Sequence, residues 1–81
     1  MLVISGTFEV PPGTEGKAID ALTVMAVESR AEKGCIKYAF WQNIEDPTQF
    51  RVYEEWDDAD CLKAHAASAH MATYRSQMAE I

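Results

Sequence analysis

The chain has 81 residues, of which 48% are hydrophobic and 25% charged. That is enough for one domain, residues 1–81, but only for a small core, because a chain of this size hides about 60% of its unfolded surface and association commonly completes it. A net charge of −6 without a cluster of Lys and Arg argues against nucleic acid or anionic lipid as a partner. No apolar run approaches the ~20 residues of a membrane span. The amino terminus MLVISGTFEV lacks the pattern of a secretory leader, so a cytoplasmic location is expected.

In chain order, residues 2–9 alternate, with Leu2, Ile4 and Phe8 on one face and Val3, Ser5 and Thr7 on the other, as a strand requires. Pro11, Pro12 and Gly13 end the strand, and Thr14 is placed to cap a helix. Ala18, Leu22, Met25, Ala26 and Ser29 then mark one helical face, which Gly34 is expected to close. From Cys35 the period returns to two, with Ile36, Tyr38 and Phe40 on one side and Cys35, Ala39 and Trp41 on the other. Asn43 to Pro47 is turn chemistry, and Phe50 to Trp56 resumes a strand, predicting a hairpin with a long loop. Asp57 or Asp58 can cap a helix with Cys61, Leu62, His65 and Ala66 along one stripe. Ser68 starts another turn, and residues 70–79 form a last helix with Met71, Tyr74 and Met78 inward.

This order predicts an α+β domain containing most of a ferredoxin-like split β-α-β unit, with its helices on one face of an antiparallel sheet. The second face, with Cys35, Ala39, Trp41 and Tyr53, is too apolar to be left in water. A second copy of the same sheet, packed face to face as a homodimer, is the economical cover. Cys35 and Cys61 have neither a Cys-x-x-Cys nor a zinc-ligand spacing and are expected to be reduced packing residues.

Four segments, Glu32-Lys33-Gly34-Cys35-Ile36-Lys37-Tyr38, Glu45-Asp46-Pro47-Thr48-Gln49-Phe50, Tyr53-Glu54-Glu55-Trp56-Asp57-Asp58 and His65-Ala66-Ala67-Ser68-Ala69-His70-Met71, together resemble the antibiotic biosynthesis monooxygenase family, in its quinol-monooxygenase branch. The resemblance covers roughly residues 1–78. It implies a dimeric α+β barrel with a pocket in each subunit between the sheet and its helices. Some members of the family oxidise phenols or quinols with dioxygen and no metal or flavin. This chain stops at Ile81, short of the family's last strand, which leaves the first strand with an open edge for further association. Arg75 stands where the haem-degrading relatives carry their haem-ligating histidine, so no haem is expected.

His65 is the candidate catalytic residue, because imidazole is the side chain best suited to moving protons near neutral pH. Its structural alternative is a hydrogen bond to Glu54 or to a backbone carbonyl that fixes helix to sheet. Tyr38, Phe40, Glu54, Trp56 and His70 are the candidate substrate-binding residues. For His70, satisfying free backbone groups after the Ser68 break is the stronger reading, and for Glu54 an anchoring hydrogen bond is at least as good as a catalytic one. Glu54 and Glu55 point to opposite faces and are no acid/base pair. Histidines five apart are not a helical metal pair, so no metal is expected. No phosphate loop and no serine triad is present, so no cofactor or hydrolase chemistry is expected. The function expected is a cofactor-independent monooxygenase acting on a small phenol or quinol. The alternatives are a non-catalytic dimeric module for a small hydrophobic ligand, or an isomerase-like relative acting on a small signalling molecule.

Overall fold

The computed structural model describes residues 1–81 as β1 (Leu2–Glu9), α1 (Glu15–Arg30), β2 (Cys35–Gln42), β3 (Gln49–Trp56), α2 (Ala59–Ala66) and α3 (Ala69–Ala79). The three strands form one antiparallel sheet in the order β1-β3-β2. Both outer strands run against β3, so β1 and β2 are mutually parallel and α1 is the crossover between them, which is the split β-α-β arrangement. Registers of Ile4 and Tyr38 against Glu54, and of Gly6 and Phe40 against Val52, put the even-numbered residues of all three strands on the helix side. No helix is long and apolar enough to cross a membrane.

The core lies between α1 and the sheet and has two parts. Val10, Ala18, Leu22 and Phe50 form the first, with Phe8, Phe40, Tyr74 and Met78 packed against it. Met25, Ala26, Tyr38 and Trp56 form the second, joined by Cys35, Leu62, Met71 and Tyr74. The stripe read from the sequence is the buried face of α1, with Ala21 added to it. Asp58 and Ser68 cap α2 and α3, their side chains accepting from the backbone N–H of Cys61 and Met71. Thr14 precedes α1 as expected, but its hydroxyl donates to the carbonyl of Pro11 at 2.6 Å and makes no side-chain cap.

Two details differ from the alternation and the capping rule. A register shift between Cys35 and Lys37 turns Cys35 to the helix side and leaves Ile36 51% exposed. The outer face therefore carries Val3, Ser5, Thr7, Lys37, Ala39, Trp41, Arg51, Tyr53 and Glu55, and Cys35 is not part of it. Gly34, in turn, is not the closing residue of α1, which ends at Arg30 and is capped through the backbone N–H of Ala31. Its φ of +80° serves a close approach: a Cβ there would run into the side chain of Cys61 on α2, while its carbonyl accepts from the N–H of Asp57 at 2.9 Å.

Gly13 has a similar φ, +91°, but open space where a Cβ would stand. Gly13→Ala should therefore cost only the backbone term of about 1 kcal/mol, whereas Gly34→Ala should add a steric clash of about 1–3 kcal/mol. Urea unfolding of the two variants measures this, with a clearly lower midpoint expected for Gly34→Ala.

Candidate functional site

Because β3 is the central strand and its side chains alternate, Glu54 and Trp56 point together into the layer between sheet and helices. Both are buried, and the indole Nε1–H of Trp56 donates to Glu54 Oε1 at 2.8 Å. Tyr38 is also buried and lies directly across the ladder from Glu54. Above these three stands His65, the one fully buried residue of α2, with its ring centroid 4.7 Å from that of Trp56 and 5.4 Å from that of Tyr38.

The imidazole is held from its other side. His65 Nδ1 lies 2.5 Å from Oε2 of Glu32, which sits in the turn after α1 with its backbone N–H on the carbonyl of Ser29. A carboxylate only accepts, so Nδ1 carries the proton and Nε2 holds the free lone pair of the neutral ring. That Nε2 is buried without a hydrogen-bond partner, 3.9 Å from Glu54 Oε1 and beyond bonding distance. His70 adds a second imidazole, its Nε2 3.0 Å from the same Glu32 oxygen.

The convergence of the two histidines depends on the break at Ser68. Five residues along a continuous helix would turn the second histidine about 140° away from the first. Here the Ser68 hydroxyl donates to the carbonyl of His65 at 2.7 Å and accepts from the N–H of Met71 at 3.2 Å, ending one helix and starting the next. The two rings stand 6.0 Å apart. The spacing argument against a metal assumed one helix and does not apply across this break, and one ligand atom each from Glu32, His65 and His70 lie within 4.8 Å of one another. Their contacts to the shared oxygen, 2.5 and 3.0 Å, are nevertheless hydrogen-bond distances, whereas a tetrahedral zinc site keeps its ligand atoms about 3.3 Å apart.

Of the residues singled out in the sequence, His65, Glu54, Trp56, Tyr38 and His70 form this one cluster. Phe40 packs edge-on against Tyr38 at 5.4 Å and lines an apolar groove of about 350 Å³ between α1 and β2, with Leu22, Val27, Trp41 and Phe50. His65, Glu54 and Trp56 do not line that groove. Glu32 was not anticipated as a site residue. Its partners lie 33 and 38 positions away in the chain, and no local pattern announces them. The structural alternative for His65 keeps its form but changes its partner: the anchor is Glu32 in the turn after α1, with Glu54 held by Trp56 instead.

The profile of the antibiotic biosynthesis monooxygenase family matches residues 1–77. YcnE of Bacillus subtilis, whose name assigns it provisionally to the monooxygenases, is 24% identical over 81 residues, covering 100% of this chain and 85% of that protein. A Synechocystis protein, sll1783, is 28% identical over 64 residues, which are 79% of this chain but only 44% of that longer protein. Among solved structures, one from Nitrosomonas europaea, described provisionally as an antibiotic biosynthesis monooxygenase, superposes with a TM-score of 0.93 at 26% identity, covering 99% of this chain and 84% of its own. A Bacteroides thetaiotaomicron protein of unknown function superposes with a TM-score of 0.90 at 29% identity, covering 98% and 84%.

The electrostatics of the cluster set its behaviour in alkali. Burial, and then the charge of Glu54, push the Tyr38 phenol well above its ordinary value of 10.0, and the same two causes raise Tyr74. Above that ordinary value the unfolded chain gives up phenol protons that the folded chain retains, so stability should fall as pH rises past 10.0. Urea unfolding at a series of pH values should show a shallower alkaline decline for Tyr38→Phe than for the wild type. An unchanged slope would contradict the assignment.

Proposed function

The chain belongs to the antibiotic biosynthesis monooxygenase family, and on that footing we propose that it oxidises a small phenol or quinol with dioxygen, using His65 as base and neither metal nor flavin. One observation carries the reading: a buried imidazole with Nδ1 fixed by a carboxylate and Nε2 left without a partner. This is the arrangement a general base needs, with one nitrogen oriented and the other free to receive a proton.

Dioxygen reacts slowly with a neutral phenol, and deprotonation makes the ring electron-rich enough to reduce it. For a hydroquinone the balance is one quinol plus O2 giving one hydroxyquinone and one water. One oxygen atom enters the ring in place of hydrogen, the other leaves as water, and the substrate supplies all four electrons. The protein then has to bind, deprotonate and exclude water. In this reading His65 Nε2 takes the phenol proton, and the Glu54 carboxylate, held by the Trp56 indole, stabilises the imidazolium that forms. Trp56 and Tyr38 offer flat faces to an aromatic ring, and His70 completes the wall on the α3 side. Phe40 supports Tyr38 from behind. Met71 and Tyr74 pack over this part of the core and have to move aside for entry.

The competing reading, a module that holds a small hydrophobic ligand without chemistry, is favoured by the apolar groove along α1, which lies apart from His65. His65→Gln separates the two. Glutamine can still donate to Glu32, so fold and melting temperature should hold, while oxygen uptake with a hydroquinone panel should fall by ~10²–10⁴. Equal turnover at equal folded concentration would leave the ligand-binding reading standing.

We also propose a cytoplasmic homodimer formed by the outer faces of two sheets, where Val3 and Trp41 are each 49% exposed. The charges on that face have partners within the sheet: Arg51 donates to the Ser5 hydroxyl at 3.0 Å, and the Lys37 ammonium lies 5.8 Å from the centre of the Tyr53 ring. The free outer edge of β1 offers a further route to association. Sedimentation should give about twice the 9.0 kDa chain mass, and Trp41→Asp should return it to one. A wild-type monomer would contradict the proposal.

A further inference from the structure

We propose that Glu32 and His70 are a proton relay joining the buried His65 imidazole to solvent, with Glu32 also acting as the residue that positions that ring. The inference rests on His65 acting as a base, and it concerns two residues to which that reading gives no part in the proton's path.

A base sealed from water faces a difficulty that an exposed one does not. The proton it takes has to leave, and the proton that the water-forming step later consumes has to arrive. The His65 side chain is 3% exposed, and its only hydrogen-bonded outlet is Nδ1 to Glu32 Oε2. Glu32 is 16% exposed and His70 20% exposed, so exposure rises at each step away from the base. The two imidazoles meet the same carboxylate oxygen, at 2.5 and 3.0 Å, both within hydrogen-bond reach, and the partly exposed His70 ring has only to turn its unprotonated nitrogen to Glu32 to take a proton from it. A carboxylate needed only to hold His65 would be served by that one bond. A second imidazole on the same atom, reaching the surface, supplies a group that can both accept and donate near neutral pH.

The protons balance over a turnover. When Nε2 takes the phenol proton, the imidazolium that forms releases its Nδ1 proton to Glu32; the His70 ring turns its unprotonated nitrogen to Glu32, takes that proton and gives the one on its other nitrogen to solvent. When the second oxygen atom leaves as water, Nε2 returns its proton to that oxygen, and one proton comes back through His70 and Glu32 to Nδ1. One moves out and one moves in, and His65 ends in its starting tautomer. No oxidant beyond dioxygen is required.

The test has two arms, both on the full chain, with His70→Gln as the variant. Its amide can keep a hydrogen bond to Glu32 but cannot relay a proton, and His70→Asn serves if the first variant folds poorly. In the first arm, NMR measures exchange of the His65 Nδ1 proton with water, which needs no substrate. The variant should slow it by about tenfold or more, less than the ~10²–10⁴ that a positioned acid or base contributes because water can reach the partly exposed Glu32 in its place. In the second arm, oxygen uptake with a hydroquinone should show kcat falling by more than KM changes, and added imidazole should restore kcat in proportion to its concentration. A purely structural His70 would not give that rescue. Nδ1 exchange that is the same in variant and wild type overturns the relay, even if the protein turns over. Slowed exchange in a protein that consumes no oxygen keeps the relay and removes the monooxygenase reading. Slowed exchange with turnover that imidazole does not restore also overturns it as a catalytic device.

Discussion

A carboxylate, Glu54, and the His65 imidazole are buried where the sheet meets α2, with the partly buried Glu32 carboxylate beside them, and neither buried group can be left without compensation. An unpaired buried charge costs several kcal/mol, whereas a hydrogen bond to a charged group returns about 1.5–3 kcal/mol. The structure meets this requirement residue by residue: the Trp56 indole serves Glu54, and the Glu32 carboxylate serves His65 Nδ1. His65 Nε2 is the one buried nitrogen of the cluster that remains without a hydrogen-bond partner.

The local architecture follows from bringing these groups together. With eight residues, α2 is too short to be stable alone, so its position comes from contacts at both ends. Asp58 caps its first turn, Gly34 lets the start of β2 lie against Cys61, and His65 ties its last turn to the loop after α1. Ser68 then stops the helix and restarts it as α3, which turns His70 back toward Glu32. The same α3 carries Tyr74 and Met78 down onto α1 and the sheet, so the break that assembles the polar cluster also closes the core beside it.

What could be read from the sequence was what repeats along it. Period two placed Glu54 with Trp56 and apart from Glu55, and helical spacing gave the buried face of α1 and put His65 on the inner stripe of α2. The caps at Asp58 and Ser68 were legible because a side-chain oxygen ahead of a helix has a local cause. Departures from periodicity were not legible. The bulge after Cys35 turns one residue around without any mark in composition, and Gly34 owes its conformation to Cys61, 27 positions later in the chain. Glu32 is the sharpest case. Its role exists only once α2 and α3 have folded back over the end of α1, so it was legible as part of a family motif but not as a partner of His65 and His70.

The central claim is that His65 Nε2 takes a proton from a bound phenol, and it can be observed without any oxidation. A phenol whose spectrum changes on ionisation, mixed with the protein in the absence of oxygen, reports its own protonation state. The account predicts that the bound phenol shows the phenolate band at a pH where the free phenol is neutral, and that His65→Gln binds it without that band. A bound phenol that stays neutral in the wild type, or ionises equally in both proteins, would contradict the claim.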